Sequence, residues 1–423
     1  MIGMHGFTRS RFVPALVLVV LATGMTSCSA GSGSGSGSKG DIQIGGLGEL
    51  TGPKAGFGSG VMQGMQAAMG VVNNAGGVMG RKLNIVVGTD NSDPVDAIPV
   101  AQKQIQLNNV VSEVGEAGAS AQAIETLYTK SKVPLFTAGG DTFFDKNTDP
   151  YVWRLTPSDS QLGVAMALYA QSKGYKRAVT MFTINAVQQA LQASAVAAYK
   201  GLGGTVLGQL NLQPDLTSYQ SEVSRVVALK PDVIFVEMDP GTASVVFKNF
   251  ASIGKLTIPF VGTDDMIGSS TIQAVGAATA HRMLVNLEGG TFDSPAATNF
   301  VAAVKASAKA TPLPNASYGY DGIIIDALAM QQAQSTNGTA VIAAIPKVTA
   351  PGGTVVYDYA SGLKLLQAGK QITYVGASGP YDYNKYHNIF GPFIAVQATE
   401  SGSSYQTVSS LTAAQLQKAT PSS

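Results

Sequence analysis

The chain has 423 residues, 45% hydrophobic and only 13% charged, with 27 Lys and Arg against 26 Asp and Glu for a formal net charge of +1. No basic run stands out, which excludes the phosphate-neutralising footprint of a nucleic-acid binder. A single cysteine excludes an intramolecular disulfide, so stability must come from packing.

The amino-terminal stretch holds Arg9 and Arg11, an apolar run from Phe12 to Ala22, and the small residues Thr26 and Ser27 just before Cys28. Ser29 and Ala30 follow, then a Gly/Ser repeat from Gly31 to Ser38. This order reads as an export signal. It resembles a bacterial lipoprotein signal, in which the cysteine becomes the lipidated first residue of the mature chain. Met25 departs from the aliphatic residue usual at that place. The resemblance implies lipid anchoring on the extracytoplasmic face of a bacterial cell membrane. An ordinary secretory signal with an incidental cysteine is the alternative. A transmembrane anchor needs roughly 18 apolar residues, more than this run supplies. The Gly/Ser stretch is a flexible tether. The remainder suffices for two or three domains at ~100–200 residues each.

From Asp41 the chain alternates short apolar runs with amphipathic segments. Ile42 and Ile44 start a strand that breaks at Gly45-Gly46, and Val61, Met65, Ala68 and Val72 fall on one helical face. Asn73 to Gly77 stops that helix. Leu83 to Val87 is the next strand, Ala97, Ala101, Ile105 and Asn108 lie at helical spacing, and Val110 to Val114 is a third strand. A helix around Ala121 to Lys130 and a strand from Val133 to Phe136 follow. This order predicts a parallel sheet with helices on both faces. It then starts again. Ala178–Phe182, Thr205–Leu210, Val233–Val236 and Phe260–Val261 are strands, with helices near Ala190–Lys200, Tyr219–Leu229 and Thr242–Ile253. Helical segments around Asn299–Ala310 and Gly322–Gln334 flank a Thr311-Pro312-Leu313-Pro314 break, and the end from Ser401 is polar and loose. The fold class is α/β, two doubly wound parallel-sheet lobes. Ligands of such sheets sit beyond the strands' carboxyl ends, so two side by side make a binding cleft.

Several strings come in a familiar order: Leu50-Thr51-Gly52-Pro53, Asn74 to Leu83, Asp90-Asn91-Ser92-Asp93-Pro94, Val133-Pro134-Leu135, Asp149 to Arg154, Lys230 to Ile234, and Tyr374 to Tyr383. Together they resemble the type I periplasmic binding proteins of the leucine/isoleucine/valine-binding kind, over roughly Asp41 to Val396. The resemblance implies an extracytoplasmic receptor for an ABC importer, closing by a three-segment hinge on an amino acid or related small polar solute. It implies permease subunits as partners, no cofactor and no enzymatic activity. The division it implies is 1–27 signal peptide, 28–40 lipidated cysteine and tether, 41–156 with 288–377 the first lobe, 157–287 with 378–400 the second, and 401–423 a polar tail. The hinge crossings are expected near Thr156, Leu287 and Ser378, with a final strand pair around Tyr381 to Val396 in the second lobe. A surface sensor of the same fold is the alternative, and an exported hydrolase a third.

Gly118-Ala119-Ser120-Ala121 follows the third strand and opens a helix, where a hydroxyl and free backbone N–H groups suit a carboxylate. In the similar proteins this loop holds the ligand's carboxylate; Ser120, or the backbone of Ala119 after a one-residue slip, would serve, and Ser120 could instead be an N-cap. Ala138 to Thr142 follows the fourth strand, and the resemblance implies ligand contacts from Gly140, Asp141 and Thr142. Phe57 matches a frequent aromatic lid, with Tyr318 and Tyr320 as further aromatic candidates. Asp264, after the strand ending in Gly262, matches an acidic position that pairs with the ligand's ammonium, and Asp265 could be a helix cap. A zwitterion would then bridge the lobes.

Two departures from the family pattern stand in the second lobe. Ala186-Val187-Gln188 replaces the Tyr-Gly loop, and Glu237-Met238-Asp239-Pro240 replaces aromatics after the third strand. The contacts there are smaller and more polar than an aliphatic amino-acid receptor offers. Gly46-Leu47-Gly48 lacks the third glycine of a dinucleotide fingerprint. His281 and His387 have no metal-ligand spacing, so no metal is expected, and no Gly-x-Ser-x-Gly elbow is present.

Overall fold

A computed structural model describes residues 40–52, 54–290 and 294–420. The signal, Cys28, the tether and Pro53 lie outside the described residues. The first sheet is built from β1 (Ile42–Gly48), β2 (Leu83–Thr89), β3 (Ser112–Val114), β4 (Leu135–Thr137) and β5 (Val152–Arg154). Its helices are α1 (Ala55–Asn74), α2 (Pro94–Gln106) and α3 (Gly118–Lys130). The second lobe follows with α4 (Asp159–Ser172), β6 (Arg177–Thr183), α5 (Ala186–Gly201), β7 (Thr205–Leu212), α6 (Gln220–Leu229), β8 (Val233–Glu237), α7 (Pro240–Ser252) and β9 (Phe260–Gly262). Then come α8 (Ser269–Val275), α9 (Ala277–Met283) and β10 (Leu284–Gly289). The chain returns to the first lobe with α10 (Pro295–Ala308), α11 (Ala316–Ala333), α12 (Gly338–Thr349), β11 (Thr354–Val356), α13 (Tyr359–Gln367), β12 (Ile372–Gly376) and β13 (Gly379–Pro380). It ends in the second with β14 (Phe393–Ala398), β15 (Tyr405–Leu411) and α14 (Ala413–Ala419).

The first sheet has strand order β2-β1-β3-β4-β5, every pair parallel. The second has order β15-β14-β10-β9-β8-β6-β7, parallel from β10 to β7, with β14 and β15 antiparallel at one edge. Strands buried on both faces read as unbroken apolar runs, and β8, Val-Ile-Phe-Val-Glu, is buried throughout. In each sheet the winding reverses once, between β1 and β3 and between β6 and β8. Such switch points open a crevice at the strands' carboxyl ends.

The predicted helical face Val61, Met65, Ala68 and Val72 is buried in the first-lobe core. β1 does not stop at Gly45-Gly46. A side chain at Gly45 would come within 1.9 Å of Glu113 Oε2, so the glycine keeps a strand while admitting a buried carboxylate. That carboxylate accepts the Leu47 N–H at 2.6 Å and the Tyr128 hydroxyl at 3.2 Å.

The first passage between the sheets runs from β5 to α4, between Arg154 and Asp159, the stretch that holds Thr156. The second falls after Gly289 rather than at Leu287, because β10 runs on in register with β14 to Gly289. The third does not fall at Ser378. Tyr381 and Ile389 belong to the first-lobe core, the Tyr381 hydroxyl donates to the Leu155 carbonyl at 3.0 Å, and the Asn388 amide donates to Phe144 and Asp145 carbonyls. The chain therefore crosses between Ile389 and Phe393, and the final strand pair is β14 with β15, not Tyr381 to Val396. The tail is not loose, since it carries β15 and α14. Leu411 and Leu416 are buried against the second-lobe core, and Thr412 and Gln415 form a capping box on α14.

Candidate functional site

The carboxyl ends of both sheets face a cavity of about 70 Å³. That is room for a few water-sized groups, hence for a small solute. From the first lobe it is lined by Glu49 after β1, Lys54 and Phe57 at α1, Gly118 opening α3, and Gly140 and Asp141 after β4. Asp159, in the first turn of α4, lies beside the first crossing. The second lobe adds Gln188 and Leu191 on α5, Glu237 ending β8, and Thr263, Asp264 and Asp265 after β9.

The charges are unbalanced. Burial raises Glu49 to about 7, against the opposing pull of Lys54, whose Nζ lies 4.0 Å from Glu49 Oε1. Burial also works against the Lys54 ammonium, but Asp265, Glu49 and Asp141 outweigh it and lift it above the usual lysine value. Burial, then the neighbouring Asp265, raises Asp264 to about 7. Burial followed by carboxylate neighbours holds Asp159 and Glu237 well above the ordinary range. Behind Asp264, burial lifts Glu288 to about 8.

The polar partners are unevenly met. Gly118 N–H, at the start of α3, donates to Asp141 Oδ2 at 2.9 Å. The amide that would receive a ligand carboxylate there already holds one of the chain's own. Gln188 Nε2 donates to Glu237 Oε1 at 3.3 Å. Glu49 Oε2, Glu237 Oε2, Thr263 Oγ1 and Gln188 Oε1 are buried without a hydrogen-bond partner. A Cβ on Gly140 would lie 2.1 Å from Asp159 Oδ1, so only glycine lets that carboxyl approach. Gly140→Ala should therefore displace Asp159 and lower ligand affinity about tenfold or more. Calorimetry on a variant whose melting temperature is retained checks this.

Of the residues expected at the site, Phe57, Gly140, Asp141 and Asp264 line the cavity. Ser120, Ala119, Thr142 and Tyr318 do not. Ser120 lies within the first turn of α3, buried, and its hydroxyl donates to Asp90. Ala119 is exposed. Thr142 opens a 3-10 turn outside the cavity. Tyr318 is buried behind it, its hydroxyl donating to the Gly289 carbonyl at 3.2 Å. Tyr320 is buried in the first-lobe core. Asp265, expected as a cap, also faces the cleft. The cavity further holds Glu49, Lys54, Asp159 and Thr263, which sequence reasoning misses. All but Lys54 and Asp159 follow directly on a strand's carboxyl end, the signal that could have found them.

Among the described residues no group of three or more His, Cys, Asp or Glu is placed to hold a metal ion, and no helix is long and apolar enough to cross a membrane.

Two doubly wound lobes around a lined cleft define a two-lobed solute-binding protein. The chain belongs to the periplasmic binding protein family, of the leucine/isoleucine/valine-binding type; the family model matches residues 41–402. The Leu/Ile/Val-binding protein homolog 1 of Brucella abortus is 43% identical over 63 residues, 15% of this chain and only 17% of that relative's length. The chemotactic signal transduction system substrate-binding protein BasB of Halobacterium salinarum is 25% identical over 379 residues, 85% of this chain and 88% of that protein. Among solved structures, the substrate-binding protein LivJ of Streptococcus pneumoniae, in complex with isoleucine, has TM-score 0.73 at 20% identity, covering 88% of this chain and 99% of that one. The solute-binding protein of an ABC transporter from R. palustris, in complex with benzoate, has TM-score 0.71 at 18% identity, covering 88% and 97%. These likenesses show the fold.

Proposed function

We propose that the protein is the extracytoplasmic substrate-binding component of an ABC importer, capturing a small polar solute between its lobes by hinge closure and presenting it to permease subunits. The observation that carries this reading is a cavity whose polar walls come from both lobes, with three chain crossings beside it. Only a ligand that touches both walls binds the closed form better than the open one, and that difference drives closure. Binding of this kind needs no cofactor and no covalent step. The expectation of a branched-chain amino acid fits less well, because the wall meant for its carboxylate presents Asp141. A sensor of the same fold is a second reading, supported by the length of the match to the chemotaxis protein BasB.

Ligand should shrink the radius of gyration in small-angle scattering. At a hundredfold excess over Kd it should add about 2.7 kcal/mol of stability, seen as a raised melting temperature. A bound ligand that leaves scattering unchanged would refute hinge closure. Neighbouring permease and ATPase genes distinguish importer from sensor.

The lipid anchor at Cys28 is part of the same proposal and rests on the signal-like order of residues before it. Cys28→Ala should move the protein from the membrane to the soluble extracytoplasmic fraction. Unchanged membrane association of that variant would sink the anchor. Stable attachment implies more than one acyl chain, since one alone gives only marginal binding.

A further inference from the structure

Resting on the binding reading above, we propose that the ligand is a small organic cation, a protonated amine or guanidine compound, that carries no carboxylate. Carboxyl groups from both lobes, Glu49, Asp141, Asp159, Glu237, Asp264 and Asp265, surround the cavity, against one lining cation, Lys54. Lys54 is half exposed at the side chain and already faces Glu49; Arg154 sits behind, bonded to Asp145 at 2.8 Å and to the Asp141 carbonyl.

Acidity alone would not make a site. The unmet polar atoms point to what is missing. Glu49, Glu237 and Thr263 are 5%, 2% and 1% exposed, and each has an oxygen without a partner. Thr263 can donate as well as accept, whereas Glu49 and Glu237 donate only while they keep the protons that burial favours and only accept once ionised. The nearest side-chain amide donor, Gln188 Nε2, is used on Glu237 Oε1. Once these acids ionise, Lys54 is the one charged donor among the lining side chains, and buried acceptors left unpaired are costly. An ammonium brings three N–H donors and a guanidinium five, each with the charge the wall lacks. Phe57, Leu191 and Phe393 supply apolar surface for a short carbon stem.

The absence of a carboxylate follows from Asp141. Its Oδ2 holds the Gly118 N–H that opens α3, so a second carboxylate placed there would have to displace or meet Asp141, in a cavity that Asp159 and Glu49 also line. Like charges in a half-buried site repel strongly.

Decarboxylated pairs give the test: isopentylamine against leucine, putrescine against ornithine, agmatine against arginine, with benzoate, glycerol and calcium ion alone as further probes. Calorimetry, melting temperature and scattering are recorded for each. At least one amine should bind about tenfold or more tightly than its amino acid, and close the lobes. Asp141→Ala, which frees the α3 amide, should cut that preference by about tenfold or more while the variant still melts cooperatively. Glu237→Gln, which keeps the shape of the wall, should weaken the amine about tenfold or more. Tighter binding and closure with an amino acid, benzoate or glycerol would overturn the cation assignment and leave the receptor reading standing. Binding of calcium alone would overturn it as well. A panel in which nothing binds or closes the protein overturns both.

Discussion

Asp264→Asn should weaken a cationic ligand by roughly thirtyfold or more, toward several-thousandfold if the pair is fully desolvated. Asp264 follows β9 at the second-lobe wall of the cavity, and burial with Asp265 beside it raises it to about 7. Without a ligand cation it is thus protonated about as often as not near neutrality. A bound cation stabilises the ionised form, so the charge on Asp264 is present mainly when ligand is. Asparagine keeps the shape and a hydrogen-bonding oxygen but cannot supply that charge. Removing one partner of a desolvated pair costs about 2–5 kcal/mol. Asp265→Asn should cost far less. Asp265 is exposed, and a solvated charge contributes about 0–1 kcal/mol, at most about fivefold in affinity. Titration calorimetry on both variants decides the matter. Equal, small losses would mean that Asp264 does not meet the ligand's charge.

The lobes were legible in the sequence because their central strands are buried on both faces and their helices mostly on one. The apolar runs of β6 and β8 and the face of α1 carry that signal directly. The α4 helix was missed because it is buried nearly all round, from Gln161 to Tyr169 with Leu168 half-exposed, and such a helix has no 3.6-residue alternation to read. With α4 unseen, Asp159 could not be placed. The tail misled for the opposite reason: its polar composition hides the two leucines, Leu411 and Leu416, that anchor it. The site was half legible. Asp141 and Asp264 follow strand ends at the expected places, yet the resemblance assigned a ligand carboxylate to the loop opening α3, where the structure spends the Gly118 N–H on Asp141. The substitutions Gln188 and Glu237 already signalled a more polar second wall, and the structure shows that the polarity is acidic. Which oxygens remain unpartnered depends on long-range packing that no local string encodes.

The unliganded protein should be about 3–5 kcal/mol more stable near pH 5 than near pH 8, because several buried acids hold their protons in the folded state. Burial raises Glu49 and Asp264 to about 7, and Glu113 and Glu288 to about 8, from ordinary values of 4.5 for Glu and 3.8 for Asp. Burial likewise raises Asp326, on α11, to about 7. In the unfolded chain these groups have lost their protons by about pH 5. In the folded chain they keep them until pH 7 to 8. Across that window the unfolded state binds fewer protons, so stability falls as pH rises. The contribution is complete below the unfolded values and is lost by the time pH passes the folded ones. Each tenfold gain in proton affinity on folding is worth about 1.4 kcal/mol, and a fraction of the gain at five such groups gives the few kcal/mol expected. Urea denaturation at three pH values measures it, and a flat or rising profile would show that these acids are ionised in the fold. Glu113 separates the core from the cleft. It lies under β1, held by Leu47 N–H and Tyr128, and takes no part in lining the cavity. Glu113→Gln should reduce the fall in stability between pH 5 and pH 8 by about 1–2 kcal/mol without changing ligand affinity. A bound organic cation should act on the other portion, by drawing Glu49 and Asp264 into their ionised forms. Its stabilising effect should therefore grow from pH 5 to pH 8, and the wild-type and Glu113→Gln proteins should show the same growth.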